Sequence, residues 1–317
     1  MVRALEANGV RAALSFCSPS LSELLDWIGK HLFYPVVVKP PKSAGTDNVT
    51  ICHSTSEVET AFANIMGKKN RLDLTNESVL VQEFLVGKEY MVDTVSFDGQ
   101  TVICAYQQAN KIAHEGAMIY DVCSAIPFDS KAATMLSPYI CEVLTALEIK
   151  WGPSHLEIII TPRGPVLVEV GARLDGCRAP EILRKAISVD QCEITVDCYL
   201  NPKTSREKWE HYPFKIHKNF SRVFLISDSE GLFLGYGFNE RIRQLSSFDK
   251  FVSLLSVGSP MVKTSNLFNI PGYVDLIHVD PVIMEKDYRQ IRLWEKEPRF
   301  FLTQDDTSEV SDQREVR

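Results

Sequence analysis

Apolar positions recur at helical and strand spacings in turn along residues 1–200. Residues 2–9 fit a short helix ended by Gly9. Ser20 stands as an N-cap with Glu23 as its capping-box partner, and Leu21, Leu24, Leu25 and Ile28 give the helix that follows one buried stripe. The run Tyr34 to Pro40, built on Val36, Val37 and Val38, predicts a strand. A small polar loop, Ser43 to Asn48, separates it from a second strand, Val49 to Cys52. A helix over Glu57 to Met66 and a strand over Val79 to Phe84 follow. Asp98-Gly99, between Glu89–Phe97 and Thr101–Tyr106, signals a hairpin. Residues 107–127 show no clear period and are expected to form a long loop or loose strand. Residues 130–149 place Ala132, Leu136, Ile140, Val143 and Leu147 on one helical face, with Pro138 either kinking that helix or starting it. Leu156–Thr161 and Val166–Val170 make an apolar hairpin about Pro162–Pro165, and 178–200 reads as one helix.

A Pro- and Lys-rich stretch, 201–218, marks a boundary. Beyond it short strands are expected around Val223–Ser227 and Tyr273–His278, with a helix over Phe248–Leu255. The polar end, 303–317, is expected to be disordered. No internal repeat is visible.

Composition narrows the class. The 317 residues suffice for one large domain or two ordinary ones, and 45% hydrophobic with 24% charged residues is a soluble globular balance. Net charge is −7 and no basic stripe stands out, which argues against nucleic-acid binding. No apolar run is long enough for a membrane span, and the N-terminal stretch has no signal-peptide pattern, so a cytoplasmic protein is expected. The eight cysteines are scattered without zinc spacing and read as buried reduced thiols.

The chemistry concentrates in 151–178. If the second hairpin is symmetric about Arg163, Ile160 faces Val166, Ile158 faces Val168, and Glu157 faces Glu169 on one sheet face, with His155 one step further out. Two opposed carboxylates repel. Arg173 or a divalent cation would compensate them, since hard cations take carboxylate oxygens. A structural ion pair, or two edge-exposed acids, is the plainer alternative. Lys39, ending an apolar strand, either snorkels or meets an anion, and the loop after it suits backbone contacts to phosphate. No Walker A loop, nucleophile elbow, zincin or kinase signature occurs.

Taken in order, V-V-V-K-P at 36–40, S-A-G-T-D-N-V at 43–49, V-Q-E-F-L-V-G-K-E-Y at 81–90, S-H-L-E at 154–157 and V-E-V-G-A-R-L-D-G at 168–176 resemble the ATP-grasp superfamily. The likeness is to its amino-acid ligase branch, the dipeptide-forming and carnosine-synthase-like enzymes. It implies an α+β fold in which a small lid, about 18–83, closes over a larger, mainly antiparallel sheet with flanking helices, about 84–200. Residues 201–302 then form a C-terminal α/β extension. The resemblance implies that Lys39 contacts the ATP phosphates and that Ser43, Ala44 and Gly45 belong to the loop over them. Glu83, Phe84 and Leu85 would meet the adenine, and Glu89 the ribose. Glu157 and Glu169 would hold Mg²⁺, or Mn²⁺ in its place. Arg173 and His155 would be catalytic, with Arg173 at the transferring phosphoryl group and His155 near the carboxylate substrate.

The implied activity is an ATP-dependent carboxylate–amine ligase that works through an acyl phosphate, on small carboxylate and amine substrates, and is compatible with a homo-oligomer. The alternative is an ATP-binding regulatory module without turnover. Three features depart from the family pattern. The chain starts at a helix that a whole domain usually precedes, so an incomplete or impaired form is expected. Gly171 stands where a ligating asparagine is common, and Asn48 where the phosphate loop commonly has glycine. Lys111, His114, Glu115 and Tyr120, in the aperiodic 107–127 stretch, are expected to face the substrates or simply water.

Overall fold

The computed structural model describes residues 1–43, 47–114, 117–176 and 178–304. After a short helix α1 (Val2–Ala7), a small sheet is built from β1 (Ser15–Ser18), β2 (Val36–Lys39), β3 (Thr50–Cys52) and β4 (Val79–Glu83) in the order β1-β4-β2-β3. Helices α2 (Leu21–His31) and α3 (Thr55–Ile65) cover one face of it. Leu24 and Ile28 of α2 pack with Val36, Val38, Val58, Ile65, Val79 and Val81 in a core of their own. The expected cap forms: Ser20 Oγ accepts from the Glu23 N–H at 3.4 Å. Its reciprocal half is relayed, because the Glu23 carboxylate accepts from the Ser18 hydroxyl at 2.5 Å, and that hydroxyl accepts from the Ser20 N–H. This unit is the lid. Its two ends are bonded to each other, with Glu83 N–H donating to the Leu14 carbonyl at 2.9 Å and Leu14 N–H to the Glu83 carboxylate at 3.1 Å.

The large sheet takes β5 (Lys88–Phe97), β6 (Gln100–His114), β7 (Ala117–Ala125), β8 (Trp151–Thr161) and β9 (Gly164–Gly171) from the first two thirds of the chain. From the remainder come β10 (Asn219–Phe224), β12 (Phe248–Ser253) and β14 (Gly272–His278). The order is β12-β14-β10-β7-β6-β5-β8-β9, and every pairing is antiparallel. Helix α4 (Lys131–Ala146) lies on the face away from the lid, where Leu136, Ile140 and Val143 meet Val92, Leu156, Ile158 and Leu167. Pro138 sits inside that helix rather than at its start, and Ser130 caps it.

Several expectations are corrected. The aperiodic 107–127 stretch is largely strand, β6 running on to His114 and β7 covering Ala117–Ala125. The helix expected over 178–200 is two, α5 (Ala179–Ile187) and α6 (Gln191–Leu200), because Ser188 takes a left-handed conformation and Asp190 caps the second. The boundary stretch 201–218 contains α7 (Pro202–Glu210) and leads back into the same sheet through β10. The helix expected over Phe248–Leu255 is strand β12. Helices α8 (Asn239–Arg243) and α9 (Pro281–Trp294) have no counterpart in the sequence reading, nor does a small sheet of β11 (Gly231–Tyr236), β13 (Pro260–Met261) and β15 (Phe301–Thr303). The tail expected to be disordered therefore begins with a strand residue, Thr303, and its part from 305 onward lies outside the described residues. Cys52, Cys104, Cys123 and Cys198 are buried thiols as expected, whereas Cys17 and Cys141 are exposed.

Candidate active site

Between the lid and the large sheet lies a cleft of about 920 Å³, a size ordinary for a ligand of nucleotide dimensions. Strand β2 delivers Lys39 to it, the end of β4 delivers Glu83, the connector after it Phe84 and Leu85, β5 delivers Glu89, and the β8–β9 hairpin delivers Glu157 and Glu169. Seven of the expected site residues thus share one cavity. Ser43 and Arg173 do not line it: the Ser43 hydroxyl donates to Asp47 at 2.8 Å, and Arg173 Nη1 donates to the Leu174 carbonyl at 2.8 Å. Ala44 and Gly45 lie outside the described residues.

Glu157 and Glu169 are opposed as expected, but by another route. The turn is tighter than a loop centred on Arg163, since Thr161 pairs with Gly164, Ile159 with Val166 and Ile158 with Leu167. An extra residue, Val168, then bulges out of β9 and restores the pairing of Glu157 with Glu169. Val168 and Glu169 consequently both face the cleft. Two-against-one pairing of this kind re-aims a side chain without breaking the strand. Burial and the nearby Glu89 push the Glu157 carboxyl above its usual value, Lys111 opposes them, and Glu169 adds to the rise. Burial also holds the Lys39 ammonium below its usual value, against the pull of Glu169 and Glu157. A half-buried lysine thus faces a pair of crowded carboxylates, and carboxylates outnumber lysines along the cleft wall. Two hard oxygen donors on one wall of a nucleotide-sized cleft fit a small divalent cation.

Beside Glu157 on the same wall, Glu89 is bonded to Lys111 Nζ at 2.8 Å, accepts from the Tyr120 hydroxyl at 3.4 Å, and Lys111 stacks over the Tyr120 ring at 4.4 Å. Lys111 and Tyr120 therefore face the cleft, while Glu115 lies outside the described residues. His114 is absent from the cleft and sits 3.4 Å from Asp228. The Glu83 carboxylate is committed to the lid stem and to Arg163 at 3.5 Å, which leaves the backbone of its connector for a ligand. Sequence reasoning passed over Met118, Asp121 and the C-terminal segment Ser265–Leu267, all on the cleft wall. Met118 and Leu267 have no chemistry that marks them as site residues. Asp121 was hidden by the broken period of its strand.

His155 lies outside the cleft lining, on the same sheet face as Glu157 and one step deeper. Its Nδ1 is 2.8 Å from Asp93 Oδ1 and 3.4 Å from Asp175 Oδ1. Burial disfavours its charge, but the hydrogen bond to Asp93 and the carboxylates of Asp175 and Glu157 outweigh it and hold the imidazole above its usual range. Asp93 is itself pushed up by complete burial and by Asp175. Gln107 steadies Asp175 at 3.1 Å.

The lid, the antiparallel sheet and the cleft between them define an ATP-dependent enzyme of the ATP-grasp family, and this chain belongs to it. The ATP-grasp domain family matches residues 32–181. Within that family the chain stands with the amino-acid ligases, which form C–N bonds. It is 30% identical over 302 residues to dapdiamide A synthase of Enterobacter agglomerans, spanning 92% of this chain and 69% of that protein. It is 22% identical over 201 residues to the L-arginine-specific L-amino acid ligase of Bacillus subtilis, spanning 62% and 48%. The crystal structure of an L-amino acid ligase from Bacillus licheniformis shares the fold, with a TM-score of 0.78 at 18% identity over 95% of this chain and 70% of that one. No helix among the described residues is long and apolar enough to cross a membrane.

Proposed function

We propose that the protein joins an amino acid, or another small carboxylate, to an amine through an acyl phosphate, with ATP held in the lid–sheet cleft. One observation carries the reading: Lys39, Glu89, Glu157 and Glu169, from four separate segments, line a single cavity. Lys39 would neutralise the ATP phosphates, the 83–85 connector would take the base and Glu89 the ribose. Glu157 and Glu169 would hold Mg²⁺, which supplies charge neutralisation at the phosphates when bound. The γ-phosphoryl group passes to the substrate carboxylate, releasing ADP. The amine nitrogen then attacks the acyl carbon, the C–N bond forms, the C–O bond to phosphate breaks, and the nitrogen gives up a proton. Positioning and fixed charge do most of this work. His155, buried against Asp93 and Asp175 outside the cleft lining, would steady the wall beyond Glu157 rather than touch the carboxylate substrate. Arg173 lies against Gly171, with its Nε 3.1 Å from where a Cβ would stand, so it must swing out to reach a phosphoryl group.

A phosphate-release screen with ATP, Mg²⁺ and pairs of amino acids tests this. Turnover that needs one carboxylate and one amine together is expected. Glu169→Gln should remove it while leaving the fold intact, since Glu169 is exposed. A Glu169→Gln protein that turns over Mg-ATP like the parent would overturn the metal role.

A further inference from the structure

Strand β7 breaks its own alternation beside the cleft. Asn110 pairs with Val122 and Lys111 with Tyr120, so Asp121 is an extra residue without an opposite on β6. Cys123 and Tyr120, three apart, therefore pack in one cluster on the cleft face, while Val122 joins the core on the other side. Without the bulge, strict alternation would turn Tyr120 and Met118 away from the cleft and Ile119 into it.

Helix α9, from the far end of the chain, grips this bulge. Arg292 Nε donates to Asp121 Oδ1 at 2.7 Å, its Nη2 donates to the Asp121 carbonyl at 2.7 Å and the Phe224 carbonyl at 2.9 Å, and the Tyr288 hydroxyl donates to Asp121 Oδ2 at 2.6 Å. The guanidinium thus serves carbonyls left over where the β7–β10 pairing stops at Val122 and Val223. Glu295 completes the clamp, accepting from Arg292 Nη1 and from the Ile226 N–H. An ordinary salt bridge would have no reason to address the backbone of the one residue that sets the register.

We infer that Arg292 and Tyr288 are positioning residues for nucleotide recognition: by pinning the bulge at Asp121 they turn Tyr120 toward Glu89 and Lys111. The inference rests on the reading of Glu89 as the ribose contact. Tyr120 donates to Glu89 and carries Lys111 on its ring, so a β7 register relaxed by one residue removes both supports of that carboxylate.

The test compares ATP with 2′-deoxy-ATP and 3′-deoxy-ATP in the full chain, by kcat/KM and by nucleotide affinity. The parent should prefer ATP over at least one analogue by about 10–100-fold, the range of a hydrogen bond to a charged group. Tyr288→Phe, which deletes one donor and keeps the packing, and Arg292→Lys, which keeps the charge and loses the fork, should each cut that preference by about 5-fold or more. Saturating kcat with ATP should fall by less than the preference does, because Glu157 and Glu169 are held by the β8–β9 pairing, which the bulge in β7 does not set. Loss of thermal stability with the preference intact, in a parent that shows the preference, would overturn the positioning role and leave the ribose reading standing. A parent that does not distinguish the three nucleotides would overturn the ribose role of Glu89 and this inference with it.

Discussion

At the scale of single residues, the site is destabilised so that it can be occupied. Glu157 holds its proton to a higher pH than a free glutamate, through burial and the neighbouring Glu89. Between the ordinary and the raised value the folded protein binds more protons than the unfolded one, so metal-free stability falls as pH rises through that window. Glu157→Gln removes that dependence. Without divalent ions the variant should melt roughly 1–3 °C above the parent near neutral pH, and the difference should vanish in acid, below the usual glutamate range. With Mg-ATP the order should reverse, because ligand binding stabilises only the protein that binds it. Phosphate release should drop by at least about 100-fold. Melting curves at two pH values, with and without Mg-ATP, check this. Equal stabilisation of parent and variant by Mg-ATP would remove Glu157 from the metal site. Lys39 was legible in the sequence as a charge ending an apolar strand, Glu157 and Glu169 as an opposed pair in an apolar hairpin, and Glu89 through the family resemblance. Met118 and Ser265–Leu267 were not, because they line the cleft by where the chain carries them.

At the scale of elements, the approach of the β4–β5 connector to β8 is set by Gly87. A Cβ there would stand 2.2 Å from the Ile160 carbonyl oxygen and 2.8 Å from Ile159 Cγ2, and the backbone of a central strand cannot give way. Gly87→Ala should therefore cost about 1–3 kcal/mol of stability and raise the KM for ATP several-fold, by displacing Phe84, Leu85 and Glu89 together. A variant with parental stability and KM would show that the connector is free to move. Three strands that sequence reasoning misjudged share one cause. In β12 the extra residue Asp249 puts Phe248 and Phe251 in the same core cluster at a spacing of three, which reads as a helix. In β7 the extra Asp121 erases the period altogether. In β9 the extra Val168 makes a strict hairpin register fail near the turn and succeed at the two glutamates. Period-based reasoning assumes one residue per step, so it fails wherever a partner strand tolerates two against one. It served the regular elements, such as α2 with its cap and α4 with its Leu136–Ile140–Val143 face, because nothing tertiary interrupts them.

At the scale of the whole molecule, the cleft is closed by contacts far apart in sequence. The loop after β2 is tied to the loop before β4, the Arg71 N–H donating to Asp47 at 3.0 Å and Asn70 to the Lys42 carbonyl at 2.6 Å. Arg71 then lies 4.4 Å above the ring of Phe268, beside the C-terminal wall Ser265–Leu267. Phe268→Ala should speed ADP release by about 2–5-fold, the worth of an exposed cation–π contact, with kcat/KM for the amino acids barely changed. Stopped-flow release of ADP measures it, and an unchanged rate would mean that the lid is held elsewhere.

The lid stem has a consequence for how such a protein can change over generations. Because Leu14 and Glu83 are bonded neighbours, everything between them leaves the body and returns at one point. The body's strands need not adjust to what the excursion contains. The entropy of closing the excursion grows by only about 0.6 kcal/mol per doubling of its length. Insertions into its loops, or a wholesale exchange of the unit between 15 and 82, are therefore cheap, provided the two stem residues still meet. A cap of different shape can be grafted there and bring its own half of the binding cleft, while β5 to β9 keep the glutamates where they are.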